Sequence, residues 1–297
     1  MTGASDLATR RLSALAWDPL VRLLALQRQD GGFGRATRPD DARATIWALV
    51  LLERCGLDIT DDPVDRAVHH LQAGHVAHDS FSYLPGATGV LPCYLGTLTT
   101  ALVRMGGIDL PIVQGSLRWL VEHQRFDHGE LRSGGTAPWM NRAPANFGCW
   151  QTVSCFHGVA GAFRAFAAVP KHRRDEGISA RLEDAVAHLR LRRLYRHTRS
   201  DRPLFAHLTT PFLVGDYRAG LLDLLHGVAE TDPGLAREDW VAEAIADMTA
   251  LAPGGRVPLV RNYGKRLVSP IPLEQVGGDS RFLSLEWLEV RQAFTEE

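Results

Sequence analysis

The chain has 297 residues, 45% of them hydrophobic and 23% charged, and its 33 Lys and Arg against 34 Asp and Glu give a formal net charge of -1. This suits one large or two small globular domains and excludes a basic nucleic-acid footprint. No apolar run approaches the roughly 18 residues of a membrane helix, no basic segment precedes an apolar one after Met1, and four cysteines are too few for a disulfide scaffold; the expectation is a cytoplasmic protein with reduced thiols, no nucleic-acid partner and no membrane insertion.

In chain order, residues 23–34 predict a helix closing on Gln27-Arg28-Gln29-Asp30-Gly31-Gly32-Phe33-Gly34. A more apolar helix follows over Asp41–Leu52. Asp58-Ile59-Thr60-Asp61-Asp62-Pro63 then reads as a helix N-cap with acids in the first turn, not as a catalytic acid run. Val68–Gly74 repeats the first half of the opening motif, and His69, His70, His75 and His78 around it read as surface residues. Pro92–Val103 is a second apolar helix. Leu117–Gly129 repeats the opening motif more fully, and Ala185–Arg190 and Ala244–Leu251 are weaker copies.

Asn146–Phe166 is the stretch that organises the rest. It starts with capping and turn residues, becomes apolar on every side, and predicts a buried inner helix whose first turn faces a cavity. Further apolar helices are expected at Gly215–His226 and Ser284–Phe294. Amphipathic and nearly all-apolar helices alternate at roughly 45 to 60 residues per unit, the scale of a helix-pair repeat. No run of period-two strands is found. The fold expected is a single all-α domain over residues 1–297, with outer helices half wet and inner helices buried on both sides.

The motifs Gln27–Gly34 and Leu117–Gly129 resemble the Q-x-x-D-G-G-[FW] repeats of protein prenyltransferase β subunits and squalene (terpene) cyclases. Asp41-Ala42-Arg43-Ala44-Thr45-Ile46-Trp47 is similar to the segment that follows the first repeat in prenyltransferases. Leu91-Pro92-Cys93, Cys149-Trp150 with Cys155, and the helix from Ser280 resemble bacterial single-domain proteins of the same repeat family. The resemblance implies an α/α toroid of about a dozen helices around a central pocket, and activity of the terpene cyclase or prenyltransferase kind. Natural-product metabolism is the setting it suggests, and the β subunits' helical partner makes a protein partner subunit one expectation.

Candidate chemistry falls at the starts of the inner helices. Cys93 resembles the zinc-binding cysteine of prenyltransferase β subunits; Leu91 and Gln151 stand near the positions of the family's other two ligands, and Cys149 is the nearest alternative donor. Zinc on Cys93 and Cys149, buried apolar cysteines, and a reactive Cys149 thiol at a helix N-terminus all remain open. Arg43, Arg142, Arg218 and Lys265 come from different repeats and suit a diphosphate, sulfate or carboxylate group, unless nearby acids neutralise them. Trp47, Tyr94, Trp139, Asn141, Trp150 and Tyr217 supply aromatic faces and an amide, with Tyr83 and Tyr263 in the same set. Asp41, Asp216 and Cys149 are the candidate proton carriers. The expectation is a small-molecule enzyme catalysing cyclisation, elimination or transfer; the alternative is a non-catalytic binding or scaffold toroid that works with a partner protein.

Overall fold

The computed structural model describes residues 16–37, 40–83, 89–126, 154–263 and 274–295. Among these the chain is mostly helical, with ten α-helices: α1 (Asp18–Leu24), α2 (Asp40–Arg54), α3 (Asp62–Gly74), α4 (Pro92–Arg104), α5 (Pro111–His123), α6 (Phe156–Ala168), α7 (Glu176–Leu191), α8 (Leu221–Thr231), α9 (Asp239–Leu251) and α10 (Arg281–Thr295). Four two-residue strands make two antiparallel pairs, β1 (Val76–Ala77) with β2 (Ser80–Phe81) and β3 (Val257–Pro258) with β4 (Asp279–Ser280). No helix among the described residues is long and apolar enough to cross a membrane.

The helices fall into two kinds, and the sequence explains both. In α3 the buried residues are Val64, Ala67, Val68 and Leu71, the i, i+3, i+4, i+7 stripe of a helix wet on one side. Asp61 precedes it and Pro63 occupies its first turn, where a missing amide hydrogen costs nothing. In α7 the side chain of Asp175 accepts the Ile178 amide at 2.7 Å, and Ile178, Leu182, Ala185 and Leu189 are buried. By contrast α4 is buried from Pro92 through Val103, and α6 is buried except at His157 and Ala168.

The buried helices α2, α4, α6 and α8 pack in succession, and each is backed by a one-faced helix: α3 on α2, α5 on α4, α7 on α6, α9 on α8. α10 packs on α8 but is itself one-faced, buried at Phe282, Leu283, Glu286, Trp287 and Val290, where an apolar inner helix was expected. The closest approach is at α4 and α6. A Cβ on Gly96 would lie 2.3 Å from the Gly161 carbonyl carbon, and one on Gly161 would lie 3.0 Å from the Pro92 carbonyl oxygen. Only glycine at both positions lets the backbones meet this closely.

Buried charges also join the helices. Arg54 donates to Asp223 at 2.5 Å and to Glu286, linking α2 to α8 and α10. Arg164 of α6 reaches Asp223 at 3.0 Å. Arg104 of α4 donates to both carboxylate oxygens of Glu230, at 2.9 and 2.8 Å. An open recess of about 780 Å³ at the C-terminal ends of α2, α4 and α8 is lined by Glu53, Arg104, His226 and Glu230.

The opening repeat motif is structural. Gln27 donates its amide to the carbonyls of Gly31 and Pro63, both at 2.8 Å, and accepts from Arg66 at 2.6 Å. It thereby pins the turn to the next outer helix. Phe33 and Trp119 are buried, 0% and 3% exposed.

Two expected helices start later than the apolar pattern suggests. The organising helix begins at Phe156, so Cys155 is its extended N-cap residue and lies outside the helix; residues 146–153 lie outside the described ones. The helix expected from Gly215 begins at Leu221. Residues 215–218 form a turn instead, closed by the Arg218 amide on the Gly215 carbonyl at 3.1 Å. Asp216 takes a φ of 63° within it, a left-handed conformation that a helix does not allow and that Asp tolerates better than most residues.

Candidate functional site

Side chains from four buried-helix starts converge at the N-terminal end of the bundle. Arg43 stands in the first turn of α2, Cys93 and Tyr94 in that of α4, and His157 in that of α6. Asp216, Tyr217 and Arg218 come from the turn before α8. The helix N-termini bring partial positive charge to this end.

Arg43 grips Asp216 with both prongs of its guanidinium: Nε lies 3.1 Å from each carboxylate oxygen and Nη2 lies 2.5 Å from Oδ2. The Asp216 side chain is 1% exposed against 29% for Arg43. Hydrogen bonding to Asp216 raises the Arg43 pKa against the opposing effect of burial. Arg218 Nη1 stands 3.9 Å from the same carboxylate. Its guanidinium lies over the Tyr217 ring at 4.3 Å and the Tyr263 ring at 4.8 Å, and its Nη2 donates to the Tyr217 hydroxyl at 2.9 Å. Two guanidinium charges against one carboxylate leave this trio with one net positive charge.

Around it runs an aromatic wall. Tyr83 and Tyr94 stack at 4.4 Å with rings parallel within 4°, and Tyr94 meets Tyr217 at 5.4 Å. Burial raises the pKa of all three, most strongly that of Tyr94, so each hydroxyl keeps its proton at neutral pH. His157 stacks on Phe205 at 4.8 Å and on His207 at 5.1 Å, and meets Tyr217 edge-on at 5.2 Å. Burial, then repulsion by His207 and Arg218, lowers the His157 pKa to about 3. Burial and Arg218 lower that of His207 to about 4. Both imidazoles are therefore neutral at pH 7.

Of the residues expected at the site, the structure brings Arg43, Tyr94, Asp216, Tyr217 and Arg218 together. Trp47 serves this end differently: it is buried, and its Nε1 donates to the Tyr263 carbonyl at 2.7 Å, positioning the ring on which Arg218 lies. Asp41 sits elsewhere. Two residues from Arg43 is about 200° around a helix, so the two side chains leave α2 on opposite faces. Asp41 turns toward Arg28, His70 and His75, with Arg28 Nη2 at 2.6 Å and the Nε2 atoms of both histidines at 3.1 Å. Trp139, Asn141, Arg142, Cys149, Trp150 and Lys265 lie outside the described residues.

The expectation that the four neighbouring histidines lie on the surface is corrected for two of them. His69 and His78 are exposed, but His75 is 3% exposed and the His70 side chain 10%. Among the described residues, the group of three His, Cys, Asp or Glu side chains with donor atoms close enough to hold one ion is Asp41, His70 and His75. Cys93 does not belong to it; its proposed co-ligand Cys149 lies outside the described residues.

Sequence reasoning passed over Phe205 and His207. They sit in an irregular stretch with no periodicity to flag them, and only the fold brings them against His157. No protein-family model matches the chain, and no curated protein matches it.

Proposed function

We propose that this chain is a small-molecule enzyme of the terpene cyclase-like kind, built as an α/α toroid, whose substrate is anchored or activated through an anionic group. The substrate classes are those that carry a diphosphate, a sulfate or a carboxylate group. The succession of buried helices, each backed by a one-faced helix, supports the toroid. The observation that carries the function is the Arg43–Asp216–Arg218 trio, whose surplus positive charge sits at four helix starts within a wall of tyrosines.

In this reading Arg218 contacts the anion, held flat by Tyr217 and Tyr263. Asp216 orients both arginines, so Arg43 acts through it as a positioning residue. Because the Tyr217 oxygen accepts from Arg218, its own O–H remains to donate a proton to the substrate. His157 and His207, held neutral, add uncharged ring faces to the wall. A developing negative charge on a leaving group is stabilised by donors fixed in advance, which is the largest source of rate acceleration in such sites. Cyclisation, elimination and transfer all meet this description.

The test is conversion of a panel of allylic diphosphates, sulfate esters and carboxylates, read by mass spectrometry of products. Wild-type protein is expected to convert at least one class, and Arg218→Ala to lose about 100-fold or more in kcat/KM at an unchanged melting temperature. Equal turnover in both proteins, or none across the panel, removes the proposal.

A further inference from the structure

We propose that Asp41, His70 and His75 form a binding site for a divalent transition-metal ion of the zinc and cobalt type, on the outer side of α2 and apart from the arginine–tyrosine site. The three residues come from two helices and the step beyond one of them: Asp41 from the first turn of α2, His70 from the C-terminal half of α3, and His75 immediately after α3. One donor atom of each lies within 4.8 Å of the other two. The histidine-to-carboxylate distances of 3.1 Å match the edges of about 3.0 to 3.4 Å in a coordination shell with bonds of about 2.1 Å. Two imidazoles and a carboxylate suit zinc, cobalt or nickel rather than calcium or magnesium.

Two further features point the same way. Asp30 Oδ2 stands 3.6 Å from Nδ1 of His70, on the side of the ring away from Asp41, the place from which a carboxylate can support a metal-binding imidazole. Gly32 leaves room beside the ligands that Arg28 now fills: a Cβ there would lie 2.7 Å from His70 Nε2 and 2.2 Å from Arg28 Nη2.

Arg28 is the competing cation, and its other bonds decide whether it can yield. It donates to the carbonyls of Phe33 and Gly34, both at 2.9 Å, and to Asp30 at 3.1 Å. A metal held by Asp41 and His70 therefore displaces the two contacts that Arg28 Nη2 makes with them, at 2.6 and 3.4 Å, and leaves the rest. The ion would staple α2, α3 and the glycine turn together.

Protein stripped with chelator is titrated with zinc by calorimetry, and with cobalt(II) by visible absorption, at pH 7.5. One equivalent per chain is expected, with a cobalt spectrum of a low-coordinate nitrogen and oxygen site and a higher melting temperature with zinc. His70→Gln should weaken binding about tenfold or more. His70 is at the rim, so this variant keeps the fold; should it unfold, the wild-type cobalt spectrum and Asp41→Asn decide. No binding by wild-type protein, or equal affinity in wild type and a folded His70→Gln or Asp41→Asn, overturns the assignment.

Discussion

Arg43 and Asp216, 173 positions apart in sequence, meet through three nitrogen–oxygen contacts of 2.5 to 3.1 Å. The pair fastens the start of α2 to the turn before α8, and that turn carries Tyr217 and Arg218 into the site. Position, charge and strain are therefore coupled in one contact.

Removing Arg43 leaves the buried Asp216 carboxylate with only the more distant Arg218, at 3.9 Å. Arg43→Ala should destabilise the fold by about 3 to 5 kcal/mol, while replacing both residues by apolar ones of similar volume recovers most of the loss. Arg43→Lys keeps the charge without the two-pronged fork, so it should recover only part. Urea denaturation of the single and double variants measures the coupling; additive effects would show that the pair contributes little.

The Gly96–Gly161 crossing tolerates no methyl group on α4. A Cβ on Gly96 would fall within 2.7 Å of three backbone atoms of Gly161, and backbone cannot rotate away as a side chain can. Gly96→Ala should cost roughly 3 kcal/mol or more, although alanine favours an isolated helix by about 1 kcal/mol. Thermal unfolding checks this; a melting temperature equal to wild type would mean that the helices sit further apart.

His157 and His207 make stability depend on pH below neutrality. Their folded pKa values of about 3 and about 4 lie below the roughly 6.5 of a free imidazole, so the unfolded chain binds protons first as pH falls. Their contribution is complete above about pH 6.5 and is lost progressively toward pH 4, by roughly 2 kcal/mol or more. His157→Phe should flatten the fall in melting temperature between pH 6.5 and 4.5. An unchanged slope would place the titration elsewhere.

A second acid-sensitive element lies deeper. Burial pushes Glu286 up, but the charge of Arg54 and a hydrogen bond from His226 outweigh it and hold the carboxyl well below its ordinary range. Burial likewise raises Glu230, and Arg104 reverses the effect. These depressed carboxyls stabilise the fold above about pH 4.3 and lose that effect as pH falls further. Arg54→Met should cost about 3 to 5 kcal/mol at pH 7 and move the acid-unfolding midpoint upward, which circular dichroism across pH 2 to 7 reads directly.

Much of the helical fold was legible because its signals are local. The stripe of Val64, Ala67, Val68 and Leu71, and the uniformly apolar run after Pro92, each settle a helix and its burial without reference to the rest of the chain. The turn at Gly215–Arg218 was not legible, since its apolar neighbours continue the helical pattern across it and only the left-handed Asp216 breaks it. The same holds for His70 and His75: their irregular spacing suggested a wet surface, and only the partner on another helix, Asp41, explains why they turn inward. Arg43, Tyr94 and Arg218 were found from the sequence because each stands at a buried-helix start or just before one. Phe205 and His207 were not, because nothing local distinguishes an irregular segment that packs on the site from one that does not.

The central claim is that Arg218, laid between Tyr217 and Tyr263, receives an anionic group. Calorimetric titration of inorganic diphosphate into wild-type protein and into Arg218→Ala at low salt tests it most directly. Saturable binding by the wild type, weakened about tenfold or more in the variant with its melting temperature preserved, is the predicted result. Equal binding by both proteins, or no binding by either, would contradict it.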